Sequence, residues 1–237
     1  MVVTVLGSGT DPIRLLLDCG SGVVHNMARF RLPWHRLTHI LVSHFHTDHV
    51  GDLPSLLFSL KHGLSTPRSE QLTIVGPAGT RDLLQRMAAA FGDHVLDPGF
   101  PVRIRELAAG EVHDLGDVAR LTSRATPHTD ASLAFRLETP DATLGYTGDT
   151  GMDDGLGAFF RGVDVLICEC SLPDALAMDT HLTPSRVARI AAGARPRHLL
   201  LTHIYPQLES EDVPDRVRAA GWDGPIRVAS DGMQILV

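Results

Sequence analysis

Cysteine is scarce in this chain. The 237 residues include three, Cys19, Cys168 and Cys170, an odd number with no framework spacing, which excludes a disulfide scaffold. Cys168-Glu169-Cys170 ends the apolar stretch 163–167, so on a strand the two thiols share one face. Two small buried residues are the expectation there, rather than a redox or metal pair. No apolar run approaches the ~18 residues of a membrane span, and no membrane association is expected. The opening Met1-Val2-Val3-Thr4-Val5-Leu6-Gly7 lacks the basic start, long apolar core and cleavage site of a signal peptide, which makes a cytoplasmic location the default. Positive charge is also in deficit: 21 Lys and Arg stand against 28 Asp and Glu, a formal net charge of −7. That balance argues against broad, non-specific nucleic-acid binding, although a local basic patch would survive it. Repeats, linkers and low-complexity tracts are absent. With 43% apolar and 21% charged residues, the composition is that of a globular enzyme-sized chain, and 1–237 is expected to form a single domain.

Histidine is what the chain has in quantity, 13 in all, concentrated in Ser43-His44-Phe45-His46-Thr47-Asp48-His49. Neutral imidazole nitrogens and carboxylate oxygens are the ligands that Zn²⁺ and similar ions take from protein. Few structural needs call for such density. The run follows the apolar Thr38-His39-Ile40-Leu41-Val42 and precedes Val50-Gly51-Asp52-Leu53-Pro54, which reads as a buried strand, a ligand-bearing loop and then a helix. Alternation lets His44 and His46 point one way while Asp48 and His49 reach elsewhere, so one loop can serve two adjacent ions.

Apolar periodicity predicts strands at 2–6, 15–18, 40–43, 72–75, 102–107, 133–137, 143–146, 163–168, 199–202 and 226–237. A further strand-like run covers 118–126. Helical patterns fit 22–31, 53–62, 77–91, 184–194 and 210–220, with Pro77 and Pro184 placed where a first turn tolerates proline. Thr183-Pro184-Ser185-Arg186 is a candidate cap. The mixture suggests sheet flanked by helices. His128, Asp149 and His203 each fall just past a strand-like run, where loops gather functional residues. Together with the His-rich run they make seven candidate ligands, enough for two metals. Asp149 is the natural bridge, because one carboxylate can bind two cations. The histidines at 25, 35, 39, 62, 94, 113 and 198 are read as surface or hydrogen-bonded residues. Arg14, Lys61, Arg68 and Arg81 are read as solvated charges before phosphate contacts.

The order His44-x-His46-x-Asp48-His49, His128, Asp149, His203 resembles the metal motifs of the metallo-β-lactamase superfamily. Gly7-Ser8-Gly9 and Asp18-Cys19-Gly20 resemble its first motif, whose aspartate supports the site without touching metal. The resemblance spans the whole chain and implies an α/β fold, a four-layer αββα sandwich with metals at one edge of the sheets. Asp48 and Asp149, each in place of a cysteine, point away from antibiotic-hydrolysing members. Glu169, Thr180-His181-Leu182-Thr183 and Gly76-Pro77-Ala78-Gly79 resemble the tRNase Z (ribonuclease Z) and phosphodiesterase branch, where a Glu–His pair assists proton transfer. The resemblance implies two ions, zinc first with manganese or iron as alternatives: His44, His46 and His128 on one, Asp48, His49 and His203 on the other, Asp149 between. A hydroxide shared by the ions would attack phosphorus, with Asp48, His181 and Glu169 as catalytic candidates. Tyr205 is a candidate pocket residue. A homodimer is the family expectation.

Two departures bear on the substrate. Between His49 and His128 there is no long Gly/Pro- and Lys-rich insertion of the kind that grips tRNA, and the stretch from Gly7 to Asp18 is short, with Thr10 running directly into Asp11-Pro12. The expectation is therefore a phosphodiesterase for a nucleotide or other small phosphodiester. A ribonuclease Z-type endonuclease acting on RNA is the alternative, and hydrolysis of a carboxyl ester, sulfate ester or lactone the second. A non-catalytic metal protein is the weakest reading, because open coordination has little structural use.

Overall fold

The computed structural model describes residues 1–5, 12–208 and 212–237. The expectations for Gly7-Ser8-Gly9 and for the junction of Thr10 and Asp11 lie outside the described residues. Among those described, no helix is long and apolar enough to cross a membrane. The chain divides into two compact units, Met1–Ala108 and Ala109–Val237, each built on one mixed sheet with its own helices.

The first unit carries a five-stranded sheet in the order β1 (Val2–Val5), β2 (Ile13–Leu17), β3 (His39–Leu41), β4 (Leu72–Pro77) and β5 (Val102–Leu107). Only β1 runs antiparallel to its neighbour. Helices α1 (Val23–Arg29), α2 (Thr47–Val50), α3 (Leu53–His62) and α4 (Thr80–Phe91) fill the crossovers. Leu16, Ile40, Leu72 and Ile74 bury one sheet face against Met27, Leu53, Leu56, Leu57, Leu60 and Leu84. Leu15, Leu17, Leu41 and Val75, alternating with them, are buried too. Parallel strands covered on both faces read as continuous apolar runs, which is why β2 and β3 stood out in the sequence.

The second unit carries β6 (Val112–Leu115), β7 (Ala119–Ala125), β8 (Leu133–Glu138), β9 (Thr143–Tyr146), β10 (Val165–Glu169), β11 (His198–Thr202) and β12 (Ile226–Val228), in the spatial order β12-β11-β10-β9-β8-β7-β6. Strands β9 to β12 are parallel, while β6 to β9 alternate in direction. Because β7 and β9 are both antiparallel to β8, strands β7, β9, β10 and β11 all end at the same sheet edge. Helices α5 (Gly155–Phe159), α6 (Pro184–Ala194) and α7 (Val213–Ala219) pack Leu156, Val187, Ile190, Ala191, Val213 and Val217 onto Leu166, Cys168, Leu199 and Leu201.

Several boundaries differ from the sequence expectation, each for a local reason. Pro77 ends β4 and does not open a helix; α4 starts at Thr80 after Gly79, whose φ is 95°. Glu106 on β5 accepts the amide hydrogens of Gly79 and Arg81 at 3.2 and 2.9 Å and so caps that helix from outside. Thr183 sits at the cap position of α6 without a capping side-chain bond. Asp174 binds the Ser185 amide at 3.3 Å and its hydroxyl at 2.5 Å in its place. The expected strand at 226–237 stops at Val228, since Asp231-Gly232 turns the chain with Gly232 at φ 78°. Strand β6 was not anticipated, because its two charged or imidazole centres, His113 and Asp114, break the apolar pattern. Arg68 is neither a solvated charge nor a phosphate contact. It is buried and donates to the carbonyls of His35, Leu37, Glu70 and Gln71, over the Phe100 ring.

Cys168 and Cys170 are buried, as expected from their spacing, and Cys19 is buried as well. Burial pushes the Cys170 thiol up to about 12 and raises Cys19 and Cys168 as well, so the nucleophilic thiolate is suppressed. We therefore predict that a disulfide-exchange thiol reagent at pH 8 labels none of the three in the native protein and all three in denaturant. Rapid labelling of the native chain would contradict this packing.

Candidate metal centre

In the first unit the site residues sit where β2 and β3 end. Asp18 follows β2 in the left-handed region, φ 56°, a conformation that costs a non-glycine residue on the order of 1 kcal/mol and persists where surroundings over-determine it. Those surroundings are hydrogen bonds. The Asp18 carboxylate accepts the Ser43 amide and hydroxyl and the His49 Nδ1 hydrogen, each at 2.7 Å. His44 Nδ1 lies 3.0 Å from the Ser43 hydroxyl, and its Nε2 lies 3.0 Å from His46 Nδ1. His46 precedes α2, a single helical turn, which carries Asp48 and His49 around so that His49 Nε2 meets the Asp48 carboxylate at 3.4 Å. His44 thus neighbours His46, and Asp48 neighbours His49, while the His44 and His49 rings lie 4.0 Å apart. The expected plain loop is in part this helical turn. Its close approach to the preceding strand end depends on Gly20, where a β-carbon would lie 1.5 Å from the Asp48 carbonyl oxygen.

In the second unit the shared edge of β7, β9, β10 and β11 collects His128, Asp149, Glu169 and His203. His128 Nδ1 is 2.9 Å from the Thr180 carbonyl, and His203 Nδ1 is 2.9 Å from the Ser171 hydroxyl. Both rings then direct Nε2 at one Asp149 oxygen, at 3.7 and 3.3 Å. Thr126, just past β7, donates to the Asp149 carbonyl at 3.0 Å and ties the two loops together. His203 also adopts a left-handed backbone, φ 57°. Glu169 is fully buried and its carboxylate accepts from the Thr150 amide at 2.6 Å, the Ser171 hydroxyl at 2.5 Å and the Leu182 amide at 3.2 Å. It also lies 3.1 Å from His181 Nδ1, so the Glu–His pair expected from the sequence is formed. His181 stacks on His203 with ring centroids 5.6 Å apart and touches His128 edge-on at 4.9 Å. Tyr205 borders both His181 and His203, at 5.5 and 5.1 Å. Arg186 holds the His181 loop from α6 through the Met178 and His181 carbonyls.

The donors suit a divalent metal ion. In each of His44, His49, His128 and His203 an oxygen lies within hydrogen-bond distance of Nδ1, an arrangement suited to histidines that offer Nε2 to a metal. The 3.0 Å between His44 Nε2 and His46 Nδ1 is near the roughly 3.3 Å edge of a tetrahedron built on metal–nitrogen bonds of about 2.05 Å. Nitrogen and carboxylate donors without a thiolate suit zinc and its borderline neighbours. The remaining histidines stay apart: His39 contacts the Thr38 hydroxyl, and His62 and His94 pack on the Phe58 ring. Among the described residues none of them joins a metal-binding group. Sequence reasoning did not assign roles to Ser43, Thr126 or Ser171. Their one available signal was position, one residue before His44, two before His128 and two after Glu169.

Imidazole and carboxylate donors gathered at strand ends of a two-sheet α/β protein define a metal-dependent hydrolase of the metallo-β-lactamase fold. Residues 13–204 match the model for the beta-lactamase superfamily domain, and the chain belongs to that family. It is 34% identical over 215 residues to a protein of Mycobacterium tuberculosis, covering 90% of this chain and 77% of that one. The ribonuclease Z of Halorubrum lacusprofundi is 28% identical over 274 residues, 92% of this chain and 86% of the enzyme. Among solved structures, a metallo-beta-lactamase fold protein from Bacillus subtilis matches with a TM-score of 0.78 at 24% identity, over 93% of this chain and 86% of that chain; the likeness is one of fold.

Gly20→Ala tests the unit-one geometry. The added methyl must displace the Asp48 backbone, so we predict a loss of about 2 kcal/mol in denaturant unfolding and weakened zinc binding in the same variant. Unchanged stability and zinc affinity would show that the turn does not depend on that contact.

Proposed function

We propose that the chain is a dinuclear metal-dependent hydrolase of a nucleotide-sized phosphodiester, in one catalytic domain of 1–237. His44, His46 and His128 would hold one ion, Asp48, His49 and His203 the other, and Asp149 would offer an oxygen to each. Zinc suits the nitrogen-rich set, with manganese or iron as alternatives. Ions held there supply charge to offset the developing phosphoryl oxygens and acidify water.

The observation that carries the phosphodiester reading is the Glu169–His181 pair beside the unit-two donors. Glu169 engages His181 at Nδ1, 3.1 Å away, so the proton available for transfer is the one on Nε2. A leaving alkoxide needs such a proton, whereas an easily expelled group does not. Glu169 is a positioning group for this step and also a clamp on Thr150 and Leu182. Asp48, exposed beside His49, completes the donor set and takes part in orienting the attacking water. Tyr205 lines the approach to His181.

The 28% identity to a ribonuclease Z supports a second reading, cleavage of RNA. Against it, the stretch from His49 to His128 is occupied by α3, β4, α4, β5, β6 and β7 with short connections, leaving no insertion to act as a gripping arm. A homodimer is our expectation from the family and is checked by light scattering; a cytoplasmic setting is the default expectation.

With bis(p-nitrophenyl) phosphate and a simple lactone offered side by side, phosphodiester hydrolysis should exceed lactone hydrolysis. The reverse order favours an ester or lactone substrate, and cleavage of precursor tRNA with a steep salt dependence favours the ribonuclease. Asp149→Ala should lose metal and activity together. His181→Ala should keep its metal and lose about 10²- to 10⁴-fold in turnover with a poor leaving group; full activity there would remove His181 from the mechanism.

A further inference from the structure

Among the described residues each unit contains one buried carboxylate outside the donor set, Asp18 or Glu169, and each holds two histidines in the same way. In the first unit Asp18 takes the His49 Nδ1 hydrogen at 2.7 Å and the Ser43 hydroxyl hydrogen at 2.7 Å. With its hydrogen committed to Asp18, the Ser43 oxygen presents a lone pair to His44 Nδ1 at 3.0 Å. In the second unit Glu169 takes the His181 Nδ1 hydrogen at 3.1 Å and the Ser171 hydroxyl hydrogen at 2.5 Å. The Ser171 oxygen in turn faces His203 Nδ1 at 2.9 Å.

The direction of these bonds follows from the backbone. Both Glu169 oxygens receive amide hydrogens, one from Thr150 and one from Leu182, at 2.6 and 3.2 Å, so the carboxylate acts as acceptor and Ser171 must donate. Asp18 receives the Ser43 amide at 2.7 Å, with the same consequence for the Ser43 hydroxyl. Each serine also lies near the directly held ring, at 3.5 Å from His49 and 3.4 Å from His181, but those nitrogens have a nearer carboxylate oxygen.

We propose that Ser43 and Ser171 are positioning residues, each passing the acceptor character of one buried carboxylate to a second histidine, His44 in the first unit and His203 in the second. A hydroxyl is the side chain that can do this, because it donates once and accepts twice. A second carboxylate would place another charge in the same dry pocket, where unpaired charge is costly. One buried charge thereby serves two rings. The proton is kept on Nδ1 of His44 and His203, against the preference of free imidazole for Nε2, and Nε2 is presented as donor. The relay also explains how His203 keeps its ring orientation on a strained backbone: the Ser171 carbonyl accepts the Tyr205 amide at 3.1 Å while its hydroxyl holds the ring.

The inference rests on the ligand assignment above for its functional consequence, but not for its structural content. The test is ring ¹H–¹⁵N correlation spectroscopy on the protein freed of metal by chelator, followed by zinc affinity from competition with a chromophoric chelator. In the parent, His44, His128 and His203 should all carry the proton on Nδ1. Ser171→Ala should move His203 off that pattern and leave His44 unchanged; Ser43→Ala should do the converse. His128, held by the Thr180 carbonyl, is the internal control in both. Zinc affinity should fall roughly 10- to 100-fold in each alanine variant and recover in Ser43→Thr and Ser171→Thr. Ser→Cys at either position keeps side-chain bulk with a weak hydrogen-bonding group, and gives the same shift should an alanine variant not fold. Unchanged His44 and His203 patterns would overturn the proposal, as would threonine variants that bind zinc no better than alanine ones. A parent that binds no zinc would defeat the metal reading alone, and the ring patterns would still decide the serines.

Discussion

A carboxylate buried at the end of a central strand is the constraint on which the site depends. Asp18 and Glu169 are 6% and 0% exposed, and a charge so placed is tolerable only when its oxygens are filled with hydrogen bonds. Filling them fixes the geometry. Asp18 binds the amide, hydroxyl and imidazole hydrogens of the His-rich segment; Glu169 binds the loops of Thr150, Ser171, His181 and Leu182. Loops that would otherwise be mobile become preorganised, and the strained backbones at Asp18 and His203 are held against relaxation. Removing either carboxylate would release several donors at once, a larger loss than a single hydrogen bond.

Most of this was legible in the sequence, for identifiable reasons. Strands β2, β3, β10 and β11 are buried on both faces and read as apolar runs, and the ligand-bearing residues follow their ends directly. The nearness of His44 to His46 follows from alternation along the run, and the reach of Asp48 and His49 from the turn that follows it. The parts that escaped depend on contacts and turns that the apolar pattern does not show. Glu106 capping α4 from β5 could not be read from the helix itself, so Pro77 attracted a helix start that belongs to Thr80. Arg68 carries an ordinary charge in sequence but is buried by four carbonyls supplied from two loops. Ser43 and Ser171 look like any loop serine, because their meaning lies in a carboxylate 25 and 2 residues away. The end of β12 was overrun because the apolar residues 233–237 continue the strand pattern past the turn at Gly232.

Membership of the family fixes the fold and the general chemistry of metal-dependent hydrolysis, while substrate choice lies in the loops around the strand ends. No arm interrupts the stretch from His49 to His128, and the rim near His181 is made of Tyr205 and a loop pinned by Arg186 and Asp174. A small phosphodiester needs no more than this, and an extended RNA would need contacts from elsewhere.

The central proposal is that the chain binds two ions for hydrolysis. Its most direct test is a titration of zinc into metal-free protein while bis(p-nitrophenyl) phosphate turnover is followed. The account predicts activity that rises to a plateau at two equivalents per chain. A plateau at one equivalent, or turnover independent of zinc, would contradict it.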